Sequence, residues 1–204
     1  MACCGWWPNG YSRPRVAGPT PWASTGPEMK PIAVLLITAA LSLSGQDAAF
    51  GVRVHGLQPM GDLKDLTNNQ VGLGAAVFIS IPHSGGLVLR PVLGMQYIPQ
   101  GNTTGLPGTK TAVTTVDLML DLLWFPNEDP DHGPYLVGSV GGQQWRLTAN
   151  GTTPSTQSAT RLGLGGGLGY QLSPRLGVEA RGFWSPVEQN LKATGLIIGA
   201  TLRF

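Results

Sequence analysis

The C-terminal segment ATGLIIGATLRF constrains the fold of this chain more than any other segment. Counting back from the end, every second residue is apolar: Phe204, Leu202, Ala200, Ile198 and Leu196. The residues between them are small, polar or charged, apart from one isoleucine. A period of two puts these sets on opposite faces of a β-strand. The segment therefore predicts a terminal strand with one apolar face and one more polar face.

The same alternation recurs between the start of the strand-like region and this last strand. It appears in Phe50–Leu57, Val71–Ile81, Leu87–Ile98, Thr111–Trp124, Pro134–Leu147, Thr160–Tyr170 and Leu176–Trp184. Strands of about 9–11 residues cross a bilayer at a tilt. The connections alternate between longer polar segments and shorter turns, which is typical of a membrane barrel. The longer segments predict exposed loops at Gln58–Gln70, Pro99–Lys110 and Thr148–Ser158.

Charge decides which face of these strands points outward. One face carries nearly all the strand charges, including Arg146 and the candidate site residues Arg53, Arg90, Asp117, Asp121, Arg161, Glu179, Arg181 and Arg203. Arginine forks pair with carboxylates in confined networks. We therefore predict that this face fills the lumen with an ion-pair network. Its excess of arginine over carboxylate would admit an anion at one mouth.

The opposite face is almost free of charge and carries aromatic residues close to the strand ends. They are Tyr97, Trp124, Tyr135, Trp145, Tyr170, Trp184 and Phe204. Aromatic girdles of this kind lie at membrane interfaces. The pattern predicts an all-β fold, an eight-stranded antiparallel up-and-down transmembrane β-barrel, whose apolar face meets lipid.

The N-terminal part of the chain is predicted to lie outside this barrel. Residues 1–28 are rich in Pro, Gly and Trp and have no periodicity, which indicates either a start chosen upstream of Met29 or a disordered extension. Residues 29–47 have Lys30, a charge-free apolar run Pro31–Leu43 and then small residues, the layout of a secretory signal peptide. The predicted barrel domain is 48–204.

Charge and cysteine content exclude several classes of function. Charged residues make up 12% of the chain, and beyond Lys30 the ten basic residues are matched by ten acidic ones. That balance gives no footprint for nucleic acid. The cysteines, Cys3 and Cys4, are adjacent and N-terminal, and no His or Cys cluster has metal-ligand spacing. We predict no cofactor and no metal.

Several segments carry a resemblance to a known family: FGVRVHGL, VGLGAAVFISIP, LRPVLGMQY and the terminal LRF. With them, the chain resembles the small outer-membrane β-barrel proteins of Gram-negative bacteria, OmpA- and OmpX-like in size, and the outer membrane protein beta-barrel domain group. The resemblance implies a monomer in the outer membrane in contact with its lipid. It also implies that the barrel-assembly machinery recognises the C-terminal strand, at Leu202 and Phe204.

The predicted function is non-catalytic, with a structural, adhesive or surface-interaction role. Two alternatives remain open in the sequence. A secreted soluble barrel would bind a small apolar ligand inside and turn its arginines outward. A barrel enzyme that modifies lipid A would need a serine and a histidine near the outer rim. His55 is predicted to point inward, and His83 and His132 fall in turns, so we predict no catalytic residue.

Overall fold

The computed structural model describes residues 48–103, 108–151, 154–188 and 191–204. The predicted leader 1–28 and signal peptide 29–47 lie outside these ranges. Within them the chain forms strands and one short helix. The elements are β1 Ala49–Met60, α1 Gly61–Thr67, β2 Gly72–Pro82, β3 Leu87–Asn102, β4 Lys110–Trp124, β5 Gly133–Asn150, β6 Ser155–Gln171, β7 Leu176–Glu188 and β8 Leu191–Arg203.

The strands form a closed barrel in which each strand pairs with its neighbours in sequence order. Every pairing is antiparallel, and β1 also pairs with β8, from Gly51 opposite Arg203 to Met60 opposite Thr194. Closure leaves no sheet edge exposed along most of the wall. The predicted eight-stranded, all-β, up-and-down antiparallel barrel is confirmed.

The two ends of the barrel differ in their connections. One end, the turn end, holds the connections β2–β3, β4–β5 and β6–β7. The other end, the loop end, holds β1–β2, β3–β4, β5–β6 and β7–β8. Two predicted loops at this end are wrong in extent, because β3 continues to Asn102 and β5 and β6 continue to Asn150 and Ser155. The extensions of β5 and β6 include Thr148 and Thr156, a residue type that favours strands, and polar side chains do not prevent a backbone ladder.

The predicted loop Gln58–Gln70 is also wrong, because it contains the helix α1. Leu63 on this helix is buried, and the helix packs against β1, β3, β4 and β8 at the loop end. Asp62 Oδ2 accepts a hydrogen bond from the Lys192 N–H at 3.0 Å, and Asn68 ends the helix with a left-handed φ of 51°. This helix is too short to cross a membrane, and it is the one helix in the described ranges. It covers the loop end of the barrel.

The outer and inner faces of the wall separate apolar and charged side chains. Leu164 and Ile198 point outward, 43% and 60% exposed, whereas Arg90 and Arg181 point inward and are 3% and 5% exposed. Inside-out polarity of this kind is the opposite of a water-soluble barrel. The inward arginines and outward leucines follow the predicted orientation.

Strand β5 departs from the prediction. Tyr135 and Trp145, predicted on the outer face, are buried in the lumen, and Arg146, predicted inside, is exposed on the outer face. The outward residues of this strand include Leu136 and Val140. Gly138 between them weakens the apolar pattern of the outer face, so the larger aromatic residues of the inner face were assigned to the outer face instead.

The pairing of β6 with β7 is incomplete toward the loop end, and we call this part of the wall the seam. Among the described residues the ladder between these strands stops at the pair Leu164 and Trp184, although β6 continues to Ser155. Pro186 follows on β7 and has no N–H to donate. Side chains bridge the gap instead: Ser185 Oγ donates to the Leu162 carbonyl at 3.1 Å. At the seam a side-chain hydrogen bond therefore takes the place of part of the backbone ladder.

Candidate functional site: the lumen of the barrel

A network of charged side chains from four strands crosses the lumen. We call it the charged layer; its members are Arg53, Arg90, Asp121, Glu179 and Arg181. Arg90 lies directly opposite Asp121 on the neighbouring strand and bonds its Oδ2 through Nε at 3.2 Å and Nη2 at 3.1 Å. The same Nη2 donates to Glu179 Oε1 at 2.6 Å, across the barrel from β3 to β7.

Arg181 and Arg53 complete the charged layer. Arg181 Nη1 donates to Asp121 Oδ2 at 2.8 Å, and its Nη2 lies 2.5 Å from Glu179 Oε2. Arg53 Nη1 is farther away, 3.7 Å from Asp121 Oδ2 and 3.6 Å from Glu179 Oε2. Three guanidinium groups thus share the two carboxylates. These ion pairs tie β1, β3 and β4 to β7 on the opposite side of the barrel.

Uncharged residues also support the carboxylates. Ser139 Oγ donates to Asp121 Oδ1 and Tyr135 OH donates to Glu179 Oε1, both at 2.7 Å. The Arg90 guanidinium lies over the Phe78 ring, 4.9 Å from its centre, a distance at which a cation is attracted to the ring. Buried carboxylates need several hydrogen bonds to offset their lost hydration. Tyr135 and Ser139 were not predicted to belong to this network, although both share the strand phase of the buried Gln143.

Asp117 is buried in the lumen but does not join the charged layer. Gln96 Nε2 donates to its Oδ1 at 3.3 Å, and none of the described cations lies within ion-pair distance of it. Among the described residues, the buried arginines and carboxylates are then three of each. The predicted excess of buried positive charge is wrong, because it included arginines that lie elsewhere.

Those arginines lie at the two ends of the barrel. Arg161 is exposed near the loop end, where its Nε donates to the Val187 carbonyl at 3.0 Å across the seam. Arg203 lies at the turn end, where its Nη2 donates to the Pro130 carbonyl at 2.7 Å. Both have the inward phase of their strands, but their guanidinium groups bond to backbone carbonyls near the barrel ends and not to the carboxylates of the charged layer. The prediction that they belong to the central network is wrong.

Apolar clusters close the lumen on both sides of the charged layer. The cluster toward the loop end, the outer plug, contains Leu57, Leu63, Ile98, Val113, Trp145, Val187, Ala193 and Ile197. The cluster toward the turn end, the inner plug, contains Val88, Leu123, Phe125, Tyr135 and Val137. The crevice between α1 and the outer plug is too narrow for a water molecule. The lumen is therefore a filled core rather than a channel, as the width of an eight-stranded barrel allows.

The chemistry available in this lumen is structural. His55 is buried, and neither ring nitrogen has a hydrogen-bond partner among the described residues. No group of His, Cys, Asp and Glu in the described ranges has the arrangement of a metal site. The charged layer can hold strands together, and its guanidinium groups are already engaged by carboxylates. The arrangement favours a rigid wall that presents its outer surface and its loop end.

The fold defines a class: this is a closed, eight-stranded antiparallel barrel, apolar outside and charged within, and it shares its fold with small outer-membrane barrels. It is similar to Ail, the attachment invasion locus protein of Yersinia pestis, solved in complex with the heparin analogue sucrose octasulfate (TM-score 0.56, 15% identity, 77% of this chain and 97% of that one).

Two further solved structures share the fold. The N-terminal β-barrel domain of Pseudomonas aeruginosa OprF matches with a TM-score of 0.54, 15% identity, 79% of this chain and 100% of that one. Neisserial surface protein A matches with a TM-score of 0.52, 12% identity, 78% of this chain and 98% of that one. No protein-family model matches the sequence, and no curated protein matches it. These similarities show the fold.

Proposed function

We propose that the chain is exported through the segment 29–47 and inserts into the outer membrane of a Gram-negative bacterium. There it acts without catalysis, in a structural, adhesive or surface-interaction role. The observation that carries this proposal is the polarity of the wall, with exposed leucine, valine and isoleucine around the outside and the charged layer inside. Such a surface is stable in hydrocarbon and would aggregate in water.

The loop end supports the surface-interaction part of the proposal. Its helix and the turn after it expose polar side chains, including Lys64, Asp65 and Asn69, while Leu63 anchors the helix to the outer plug. A rigid scaffold that presents polar groups is suited to contact with partners outside the cell. Among the structural neighbours, Ail is named for attachment and is seen with a heparin analogue. That likeness favours an adhesive role over a purely structural one.

The alternative functions fit the structure less well. A soluble ligand-binding barrel needs an empty apolar interior, whereas this lumen is filled by the charged layer and the two plugs. A lipid A enzyme needs a catalytic histidine near the outer rim, whereas His55 is buried in the lumen and His132 lies in the β4–β5 turn beside Asp129.

Fractionation of expressing cells tests the location. We expect the protein in the outer-membrane fraction, and we expect an unheated sample to migrate faster on a denaturing gel than a heated one, because a closed barrel resists detergent. Recovery of the mature protein in the soluble periplasm, with no heat-dependent shift, would contradict the proposed location and the membrane role with it.

The C-terminal strand is proposed to guide assembly through Leu202 and Phe204. Both side chains point outward, and the backbone of Phe204 is bonded to Phe50. Phe204→Ala is expected to reduce the amount of assembled barrel severalfold, measured by the heat-dependent shift. The matched control is Phe50→Ala, which removes an outward aromatic ring of similar exposure at the same end. Equal losses in the two variants would show that Phe204 serves only as part of the apolar surface.

A further inference from the structure

The outer face of the wall becomes polar where β4, β5 and β6 approach the loop end. On β6 the exposed leucines Leu162 and Leu164 give way to the exposed residues Thr160 and Ser158. We call this part of the outer face, formed by 110–114, 144–150 and 155–160, the polar face. Its outward hydroxyl and amide groups lie in rows of directly opposed residues and belong to Thr114, Gln144, Thr148, Thr156, Ser158 and Thr160. The polar face is therefore a regular array of hydrogen-bonding groups on a paired sheet.

Two cations lie on the polar face. Arg146 is exposed and lies directly between Thr114 on β4 and Ser158 on β6. Lys110 is also exposed and lies opposite Asn150. Because Asn150 is four residues beyond Arg146 on β5, the two cations are about 13 Å apart along the strands. Neither forms an ion pair with any of the described carboxylates.

Carboxylates are missing from the strands that form the polar face. From Gly133 to Gln171, which covers β5 and β6, the sequence contains no Asp or Glu. The two carboxylates of β4, Asp117 and Asp121, are buried in the lumen. The acidic residues toward the loop end lie elsewhere, on α1 and at the end of β7. The polar face thus carries positive charge that no acidic residue of its own strands offsets.

We propose that the polar face binds a sulfated polysaccharide. The inference rests on the proposed surface-interaction role and names the surface and the partner. Cations 13 Å apart suit a polymer whose anionic groups repeat along its length, because a single small anion reaches only one of them. The Arg146 guanidinium can donate two hydrogen bonds to one sulfate group. Between the cations, Thr148 and Asn150 offer donors and acceptors to sugar hydroxyls.

An acidic polypeptide fits the polar face less well. Peptides bind to sheets chiefly by adding a strand at an edge or by placing apolar side chains in pockets. On the polar face the backbone of β5 is paired on both sides, with β4 and with β6, and the outward side chains are small and polar. Such a surface offers hydrogen bonds and charge, which are the groups that a sulfated sugar chain can use.

Heparin binding to the barrel in phosphatidylcholine vesicles, measured by isothermal titration calorimetry, tests the site. Lys110→Gln combined with Arg146→Gln is expected to weaken the affinity about tenfold, since each exposed ion pair contributes a factor of about three. The wild-type affinity is expected to fall as salt is added. The comparison variant, Lys64→Gln combined with Lys192→Gln, removes the same charge from exposed positions on α1 and β8 and is expected to change the affinity less than about twofold.

The other outcomes overturn the site. Equal losses in the two double variants would show that only the total charge of the loop end matters. Polyglutamate that binds as tightly as heparin, with the same dependence on Lys110 and Arg146, would assign the surface to an acidic polypeptide instead. A barrel that shows the heat-dependent gel shift but binds no heparin overturns this inference and leaves the membrane role standing. Absence of the shift contradicts the proposed location, and the inference fails with it.

Discussion

Replacing Asp121 by asparagine is expected to lower the free energy of unfolding by about 3–5 kcal/mol, the usual cost of breaking a buried ion pair from one side. Asp121 accepts hydrogen bonds from Arg90, Arg181 and Ser139 and is almost fully buried. Asparagine keeps the shape of the side chain but leaves three guanidinium groups to share Glu179. The uncompensated charge lies in the lumen, where hydration cannot offset it.

The matched control is Asp117→Asn on the same strand. Asp117 is also buried, but its described contact is the single hydrogen bond from Gln96. The same chemical change should therefore cost about 1 kcal/mol or less, the worth of one hydrogen bond. Urea titration of the barrel in lipid vesicles, followed by tryptophan fluorescence, gives both values. Equal losses at the two positions would show that the charged layer contributes nothing beyond burial.

The second large effect is expected on the outside of the wall. Ile198→Arg should lower the free energy of unfolding by about 2–4 kcal/mol in vesicles, the cost of a cation on the lipid face near the bilayer midplane. Ile198 is 60% exposed and lies in the middle of β8. In a water-soluble barrel the same substitution would be almost neutral, because an exposed arginine would be hydrated.

Thr156→Arg is the control for this substitution. Thr156 is exposed on β6 near the loop end, opposite Thr148, where the wall is polar. Its replacement should cost between 0 and about 1 kcal/mol, as expected near an interface. A loss at Thr156 as large as that at Ile198 would argue that arginine disturbs the strand itself. A neutral Ile198→Arg would remove the support for a lipid-facing exterior.

Alternation in the sequence predicted the strands and most of their orientation. The apolar set that ends at Phe204 points outward, and the five residues of the charged layer point inward. This could be predicted because successive side chains of a strand point alternately to its two faces. In β5 the outward set is diluted by glycine, and the prediction placed Tyr135 on the wrong face. The pattern is informative only where both faces have distinct side chains.

Strand phase alone did not predict which inward residues meet. Arg161 and Arg203 have the inward phase but lie at the ends of the barrel, since the depth of a residue depends on register and tilt. The helix α1 was missed for a different reason. Its seven residues are too few to show a helical period, and Leu63 is held by the outer plug rather than by helix propensity.

The pairing of β1 with β8 has a consequence for assembly. The strand β1 gains its second neighbour only when β8, the last strand in sequence order, joins the sheet. Until then the incomplete sheet has two edge strands with unpaired N–H and C=O groups, and each edge can pair with another chain. A product that stops before Leu191 is therefore expected to be an open sheet with two unpaired edges and not a smaller barrel.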